Sequence, residues 1–323
     1  MKNKLIVLLG CVFTLLLLGA CSKSNAANDK VTIYTNADEE PVAVMKKVLD
    51  DNGYKGKYVL QSFGTSELGG KLLAEGKNIE ADLVTMSTFY LNSAQQKEKM
   101  FKEEKLPVKP LAKIPDYAAP FTVQEGTIFY NTDKMKELNL PIPKSLKDLA
   151  DPQYKDVLSI SDIKQSSTAW LLFQALVDTY GKDEAQTILK AIYKNTGDHL
   201  ESSGSGPIKK VRLGEVALGF GLRHQAVKDK TDGLPIDFVE PSEGTYTLTE
   251  SLAVIDKGKS TNPEAEKMLD LILEKGRKDL LEIYPSALYE GEKVDSRYLT
   301  KDQKVFPEEL TAELLEQHQK LVD

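Results

Sequence analysis

The feature that most constrains the fold is a regular alternation of strand and helix patterns between residues 31 and 86. Three short β-branched runs, at 31–35, 58–62 and 81–86, are separated by apolar residues at helical spacing over 41–52 and 65–74. This order predicts parallel strands in one sheet, with helices on both faces. Ligands of such sheets bind beyond the carboxyl ends of the strands. The polar residues that follow each strand are therefore candidate binding groups.

The pattern continues less regularly to the C-terminus. Prolines at 107, 110, 115 and 120 interrupt it. We predict strands at 126–130, 157–161, 216–221 and 246–255, and helices at 169–177, 185–193, from 203, and at 262–276, 277–283 and 307–321. A second α/β unit thus follows the first, as a length of 323 residues allows.

The N-terminus has the pattern of a targeting segment. Lys2 and Lys4 precede an uncharged, Leu-rich run over 5–18, which is shorter than the roughly 20 residues that a spanning helix needs. The run ends in Leu18-Gly19-Ala20-Cys21, which resembles the lipobox of bacterial lipoproteins. The alternatives are an ordinary secretory signal and an uncleaved anchor.

The lipobox resemblance implies a signal peptide at 1–20 and a lipid, palmitate among its chains, on Cys21. Residues 21–30 would then be the lipidated cysteine and a polar, flexible tether. We expect a protein anchored to the extracytoplasmic face of the cell membrane, whether that face is extracellular or periplasmic.

Composition excludes several classes of function. The formal net charge is −7 and no basic block occurs, so a nucleic-acid partner is not expected. Cys11 and Cys21 are the chain's two cysteines, too few for a disulfide framework or a structural zinc site.

The sequence contains no complete catalytic motif. Gly64–Lys71 departs from a P-loop, because Leu72 replaces the hydroxyl residue that would hold Mg²⁺. Ser161-Asp-Ile-Lys164 has the SxxK spacing without its accompanying Lys-Thr-Gly. Of the three scattered histidines, we expect His199 to be structural and His318 to lie on the surface. We predict a protein that is not an enzyme and needs no cofactor.

Several segments, in this order and spacing, resemble bacterial extracellular solute-binding proteins of ABC importers. The group that they resemble most carries ferric ion, phosphonates and phosphorylated sugars. The segments are Val31–Thr35, Gly64–Gly76, Ala81–Val84, Tyr130–Lys134, Leu140–Leu149, Asp151–Lys155, Gly214–Gly221, Glu250–Ile255 and Asn262–Met268.

The resemblance implies a type II periplasmic-binding-protein-like α/β fold, with two lobes, two crossover strands and ligand in the interlobe cleft. One lobe would comprise 31–127 plus 248–323, and the other 128–247. The expected partners are a small ligand and the permease and ATPase subunits of the transporter. We expect a monomer.

The same resemblance bears on the ligand. Ferric-binding members hold iron with adjacent tyrosines at a position that here reads Leu222-Arg223-His224-Gln225. Arg223 cannot ligate iron and its charge opposes a cation. Iron stays an alternative, because Asp38, Glu39 and His224 could supply ligands.

A small anion, a phosphonate or a phosphorylated compound, is the favoured ligand. Hydroxyl-rich turns at helix starts suit phosphate oxygens, Arg223 could pair with two of them, and His224 could donate a hydrogen bond. Asp38 or Glu250 could receive an ammonium or a sugar hydroxyl. The candidate ligand-binding residues are Asp38, Thr65, Ser66, Ser87, Ser166, Ser167, Thr168, Ser203, Gly204, Ser205, Arg223, His224, Tyr246 and Glu250; no metal site is predicted.

Two further alternatives stay open. The first is a secreted hydrolase, such as a phosphatase that acts on similar anions. The second is a surface adhesin or chaperone without a small ligand.

Overall fold

A computed structural model describes residues 30–323. Residues 31–323 form one compact unit. Its strands are β1 (Val31–Thr35), β2 (Tyr58–Ser62), β3 (Leu83–Ser87), β4 (Ala119–Asn131), β5 (Leu158–Ser161), β6 (Leu200–Glu201), β7 (Leu218–Leu222), β8 (Ile236–Val239), β9 (Thr245–Val254) and β10 (Gln303–Lys304).

Helices connect most of these strands. They are α1 (Glu39–Leu49), α2 (Thr65–Glu75), α3 (Thr88–Glu98), α4 (Thr132–Glu137), α5 (Thr168–Tyr180), α6 (Lys182–Thr196), α7 (Gly206–Arg212), α8 (Arg223–Thr231), α9 (Pro263–Ile283) and α10 (Ala312–Gln319). A π-helical turn at Asp50–Tyr54 extends α1, and short 3₁₀ turns lie between other elements.

The strands form one continuous mixed sheet in the order β2-β1-β3-β9-β4-β7-β5-β6, with β8 beside β4 and β10 beside β9. β1 pairs in parallel with β2 and β3, and β5 pairs in parallel with β6 and β7. The long antiparallel strands β4 and β9 join these two parallel groups. We call the sheet around β1 the β1 side and the sheet around β7 the β7 side.

β4 passes from one side to the other along its length. Its residues 119–125 pair with β9, whereas its residues 126–131 pair with β7 and β8. The change of partner falls at Glu125 and Gly126, where a Cβ on Gly126 would come 2.6 Å from the Phe220 ring. A residue without a side chain is therefore required at this point of the strand.

Apolar faces of the helices close over the sheet. α9 packs on α1, and Gly276 lies within α9 where it faces Val44 and Val48. On the β7 side, α5 is buried from Thr168 to Leu176, with Trp170 and Phe173 fully buried, and its last turn reaches the surface. Such apolar burial is the main stabilising contribution to a fold of this kind.

Most predicted elements occur with ends shifted by a few residues, and three differ more strongly from the prediction. β4 begins at Ala119 rather than at 126, with a register irregularity between Pro120 and Thr122 that accommodates the proline. α9 is one helix rather than two, since Gly276 packs inside it instead of ending it. α10 begins after Thr311, whose side chain accepts a hydrogen bond from Leu314 N and caps the helix.

The expected surface position of His318 is wrong. This residue is 6% exposed, and its Nδ1 accepts a hydrogen bond of 2.9 Å from the Trp170 indole. α10 therefore turns His318 inward, and the charged residues around it occupy the other faces of a short helix.

Within residues 30–323 no helix combines the length and the apolar character that a membrane crossing requires. The predicted signal peptide, the lipidation of Cys21 and all but the last residue of the predicted tether lie outside the described residues.

Candidate ligand-binding site

A polar cleft of about 620 Å³ lies where strands of both sides of the sheet end. The residues that follow β1, β2, β5 and β6 line it, as the carboxyl ends of parallel strands do in α/β sheets. Of the predicted binding residues, those that line this cleft are Asp38, Thr65, Ser166, Ser203, Gly204 and Ser205.

A loop of small residues, 202–205, forms one wall of the cleft. A Cβ on Gly204 would come 2.1 Å from Thr168 Oγ1, so glycine is needed for the loop to lie on the start of α5. Thr168 is buried, and it supports this loop instead of facing the cleft. The Ser205 hydroxyl donates a hydrogen bond of 3.2 Å to Asp38 Oδ1, across from the β7 side to the β1 side.

The start of α2 forms the opposite wall. No side chain caps this helix at Gly64, so the first turn offers backbone N–H groups and a partial positive charge to the cleft. Asn36 donates a hydrogen bond of 3.3 Å to Thr65 Oγ1 there. Ser66 lies just behind the lining, where its N–H approaches Gln165 O at 3.5 Å and its hydroxyl bonds Tyr90.

Beneath the cleft floor lies a buried group of hydroxyls around one carboxyl. Glu250 and Ser87 are opposite each other in the β3–β9 ladder, and the Ser87 hydroxyl donates to Glu250 Oε1 at 2.6 Å. Ser87 also lies 3.4 Å from the Ser167 hydroxyl at the start of α5. Glu250, Ser87 and Ser167 are all at most 3% exposed, so they support the cleft from below.

Burial shifts the acid–base equilibria of this region. Desolvation raises the pKa of Glu250 to about 7, and the nearby charge of Asp38 adds to the rise. Burial, and then the charge of Glu40, raises the pKa of Asp38 as well. The Asn36 side chain hydrogen-bonds Glu250 and partly offsets the rise of its pKa, while the amide oxygen of Asn36 is buried without a partner among the described residues. A proton held on Glu250 would supply the donor that this amide oxygen lacks.

Three cationic side chains also line the cleft: Lys46, Lys209 and Arg212. Arg212 is held by a hydrogen bond of 2.6 Å from its Nε to Asp229 Oδ2. Within residues 30–323 its two Nη groups have no hydrogen-bond partner. A fixed guanidinium with free Nη groups is suited to pair with two oxygens of an anion.

Arg223 lies outside the cleft. Its Nη1 donates to Tyr298 O at 2.6 Å, its Nη2 donates to Glu240 Oε1 at 2.8 Å, and Glu125 lies 3.7 Å away. The residue is 2% exposed. Its guanidinium thus holds the chain at 298–299. The expected pairing of Arg223 with ligand oxygens is not available here, because both Nη groups are occupied and Nε is buried away from the cleft.

Tyr246 is likewise away from the cleft. It is 1% exposed, its hydroxyl bonds Asp178, and its ring stacks on Phe306 at 5.2 Å. Burial and the carboxylate of Asp178 raise the pKa of the phenol. Tyr246 is part of the packing on the β7 side.

His224 faces a second cavity, of about 630 Å³, which lies beside α8. Its ring centroid lies 3.9 Å from that of Tyr284, whose hydroxyl bonds Asp38. Burial, and then the charge of Arg212, lowers the pKa of His224 to about 3, so the imidazole is neutral at physiological pH. We call this space the α8 cavity.

The predicted binding residues did not include Asn36, Lys209, Arg212 and Gln225, which line the cleft. Asn36 belongs to the polar segment after β1, which the position of the strand end had marked as a place for ligand contact. Lys209 and Arg212 lie in the helix after the loop 202–205, and their cleft-facing position depends on how that helix packs.

Among residues 30–323, no three His, Cys, Asp or Glu side chains converge as a metal-binding group would. Asp38 and Glu39 lie at the cleft, whereas His224 points into the α8 cavity. The three side chains that could have held iron are therefore not brought together.

A family model described as bacterial extracellular solute-binding protein matches residues 79–302. The chain belongs to this family. The predicted resemblance is confirmed: this is a solute-binding protein of the ABC-importer class, whose members are not enzymes and work with permease and ATPase subunits.

Two sequence relatives are similar over different spans. The spermidine/putrescine-binding periplasmic protein of Salmonella typhimurium is 23% identical over 318 residues, which cover 92% of this chain and 88% of that protein. An uncharacterized protein of Haemophilus influenzae is 30% identical over 151 residues, covering 46% of this chain and 43% of that protein.

A solved structure is similar over most of its length. The periplasmic binding protein AfuA from Actinobacillus pleuropneumoniae, with fructose-6-phosphate bound, aligns with a TM-score of 0.72 at 19% identity. The alignment covers 91% of this chain and 96% of that chain. The predicted fold class, a type II periplasmic-binding-protein fold, is confirmed.

Proposed function

We propose that this protein captures a small phosphorylated or phosphonate anion for an ABC importer. Arg212 gives the strongest support for an anionic ligand, because it lines the cleft with both Nη groups free among the described residues. Lys209, the hydroxyls of 202–205 and the uncapped start of α2 lie around the same space. Together they form a set of donors for phosphate oxygens.

The acidic residues of the cleft fit the other end of such a ligand. Asp38 lines the cleft and Glu250 lies beneath it. Because phosphonates and sugar phosphates carry ammonium or hydroxyl groups beside the anion, these carboxyls would accept hydrogen bonds from them. The fructose-6-phosphate in the AfuA structure is a ligand of this chemical kind.

A polyamine is the second candidate, favoured by the spermidine/putrescine-binding relative and by Asp38, Glu39 and Glu40 in the cleft. Against it, Lys46, Lys209 and Arg212 line the same space and would repel a polycation. Phe63 supplies the aromatic surface of the cleft lining, which is little for an aliphatic amine chain.

The two proposed lobes are 31–127 with 248–323, and 128–247. The change of β4 pairing at Glu125 and Gly126 supports the first boundary. Several contacts cross between these segments around the cleft, among them Ser205 with Asp38, Ser66 with Gln165, and Ser87 with Ser167. Ligand capture would proceed by closure of the lobes on the anion.

Isothermal titration calorimetry tests the ligand class, with the protein as it would be after removal of the predicted signal peptide, residues 1–20. The panel is inorganic phosphate, 2-aminoethylphosphonate, glucose 6-phosphate, spermidine and Fe³⁺. We expect at least one phosphorus compound to bind, and Arg212→Gln to weaken it about 10- to 100-fold, since charge-assisted hydrogen bonds of about 1.5–3 kcal/mol are lost.

Lys210→Gln is the matched control, because Lys210 pairs with Glu201 and Glu215 and does not line the cleft. It should change affinity less than twofold. Binding of spermidine or Fe³⁺ without any phosphorus compound would overturn the proposal.

We also propose that a lipid on Cys21 anchors the protein to the extracytoplasmic face of the membrane, on the strength of the Leu18–Cys21 motif. Cells labelled with a palmitate analogue should incorporate it into the wild-type protein, and Cys21→Ser should abolish the label and release the protein from membranes. Equal labelling of both proteins would contradict the anchor.

A further inference from the structure

We propose that the α8 cavity is a second part of the ligand site, and that it takes a ring that bears a hydrogen-bond donor. The ligand would then be a phosphate monoester or phosphonate with an aromatic or heterocyclic group. This inference rests on the proposed anion function and adds to it the nature of the uncharged part of the ligand.

The α8 cavity and the cleft adjoin each other. Glu40, Arg212 and Gln225 line both spaces. Arg212 thus stands at the junction, with its Nε fixed on Asp229. A phosphate bound to its Nη groups could extend its ester substituent into either space.

The inner wall of the α8 cavity carries polar atoms without partners. Gln225 is 5% exposed, and its Oε1 has no hydrogen-bond partner among the described residues. The Nδ1 of His224 is also buried without a hydrogen-bond partner among these residues. A buried amide oxygen without a donor is unfavourable, and a ligand with an amino or hydroxyl group would supply the missing donor.

The rest of the wall suits a flat apolar group. Leu234, Ile283 and Pro285 line the cavity, and Leu234 is 43% exposed. Two charged pairs of the wall, Arg212 with Asp229 and Lys228 with Asp232, neutralise each other, while the carboxylates of Glu40 and Glu282 also line the cavity. A ring would gain apolar contact with the uncharged part of the wall.

The test compares three ligands of the full secreted-length chain by calorimetry: methyl phosphate, phenyl phosphate and 4-aminophenyl phosphate. We expect phenyl phosphate to bind at least tenfold more tightly than methyl phosphate, and 4-aminophenyl phosphate to bind severalfold more tightly still. In Gln225→Met, 4-aminophenyl phosphate should bind no more tightly than phenyl phosphate. Phenyl phosphate should still bind more tightly than methyl phosphate.

A variant with a larger side chain in the α8 cavity tests the contribution of this cavity separately from that of the anion site. Leu234→Trp should reduce the preference for phenyl over methyl phosphate to less than threefold. Leu111→Trp is the matched control, since Leu111 is 58% exposed and lines neither space. It should keep the full preference.

The outcomes separate this inference from the proposed function. If methyl and phenyl phosphate bind equally well to the wild type, or if Leu234→Trp keeps the preference, the second subsite is wrong while the anion site stands. If none of the three phosphates binds although a phosphorus compound of the first panel does, the second subsite is again wrong and the anion site stands. If no phosphorus compound of either panel binds, the anion function itself is wrong and the subsite falls with it.

Discussion

At the scale of single residues, Glu250 has the greatest expected influence on pH dependence. Burial raises its pKa from 4.5 to about 7. Between these values the folded protein keeps a proton that the unfolded chain releases, so the free energy of unfolding decreases as the pH rises through this window. Above pH 7 the contribution of Glu250 is constant.

Glu250→Gln should remove this slope. The amide nitrogen also supplies a permanent donor near Asn36, whose oxygen lacks one. Relative to wild type, we expect the variant to gain roughly 3 kcal/mol between pH 4.5 and pH 7.5, since each pKa unit corresponds to about 1.4 kcal/mol. Urea unfolding across this pH range measures it.

Glu39→Gln is the control, because Glu39 is an exposed carboxylate at the start of α1 that lines the same cleft. It should keep the wild-type slope. A Glu250→Gln protein whose stability follows the wild-type pH profile would contradict the assignment.

Cleft residues were predictable from sequence where a hydroxyl-rich turn opens a helix after a strand. Thr65, Ser166 and Ser205 were predicted from such turns, and all three line the cleft. Arg223 also follows a strand, yet the carbonyls of Tyr298 and Leu299 occupy its guanidinium. No local pattern shows that a segment distant in sequence will cover a side chain.

At the scale of elements, the end of α9 depends on one buried ion pair. Arg277 is 6% exposed and contacts Glu292 through Nε at 2.7 Å and Nη2 at 3.0 Å. Its Nη1 also donates to Phe121 O in β4 at 2.6 Å. The pair fixes the chain after α9 against the strand.

Arg277→Gln should destabilise the protein by about 3–5 kcal/mol, since it leaves the largely buried Glu292 carboxylate without its charge partner. Lys278→Gln, an exposed position one residue on, should change stability by less than about 0.5 kcal/mol. Chemical denaturation compares the two, and a cost below about 1 kcal/mol for Arg277→Gln would refute this role.

Element types were predictable, but element limits were less so. The alternation over 31–86 identified β1, α1, β2, α2 and β3 because local periodicity determines them. β4 was found in its second half only, because Pro120 interrupts the pattern and β9 maintains the pairing around it. Tertiary pairing of this kind overrides local propensity.

At the scale of the whole molecule, the C-terminal segment contacts both sides of the sheet. Ala312 N donates to the Ser93 hydroxyl of α3, and His318 accepts from Trp170 of α5. The last residues reach α6, where Lys190 bonds Asp323 O at 2.8 Å. One segment thus joins helices of the two proposed lobes.

His318→Leu should cost about 1–3 kcal/mol, because the buried Trp170 N–H loses its acceptor. Burial lowers the pKa of His318 from 6.5 to about 4. The unfolded chain binds the proton first on acidification, so the wild type loses stability between pH 6.5 and pH 4.

The variant should lose less stability over that interval, as thermal unfolding at several pH values would show. His199→Gln, at a partly exposed histidine, should keep the wild-type loss. An unchanged profile in His318→Leu would mean that the Trp170 contact does not govern the acid response.

The position of the chain's one tryptophan has a practical consequence. Trp170 lies between Phe89 of α3, its own helix α5, and Phe306 and His318 of the C-terminal segment. The fluorescence of Trp170 should therefore depend on how the proposed lobes pack against each other. A solute that closes the lobes should change this fluorescence in the unlabelled protein, even though the solute does not contact Trp170.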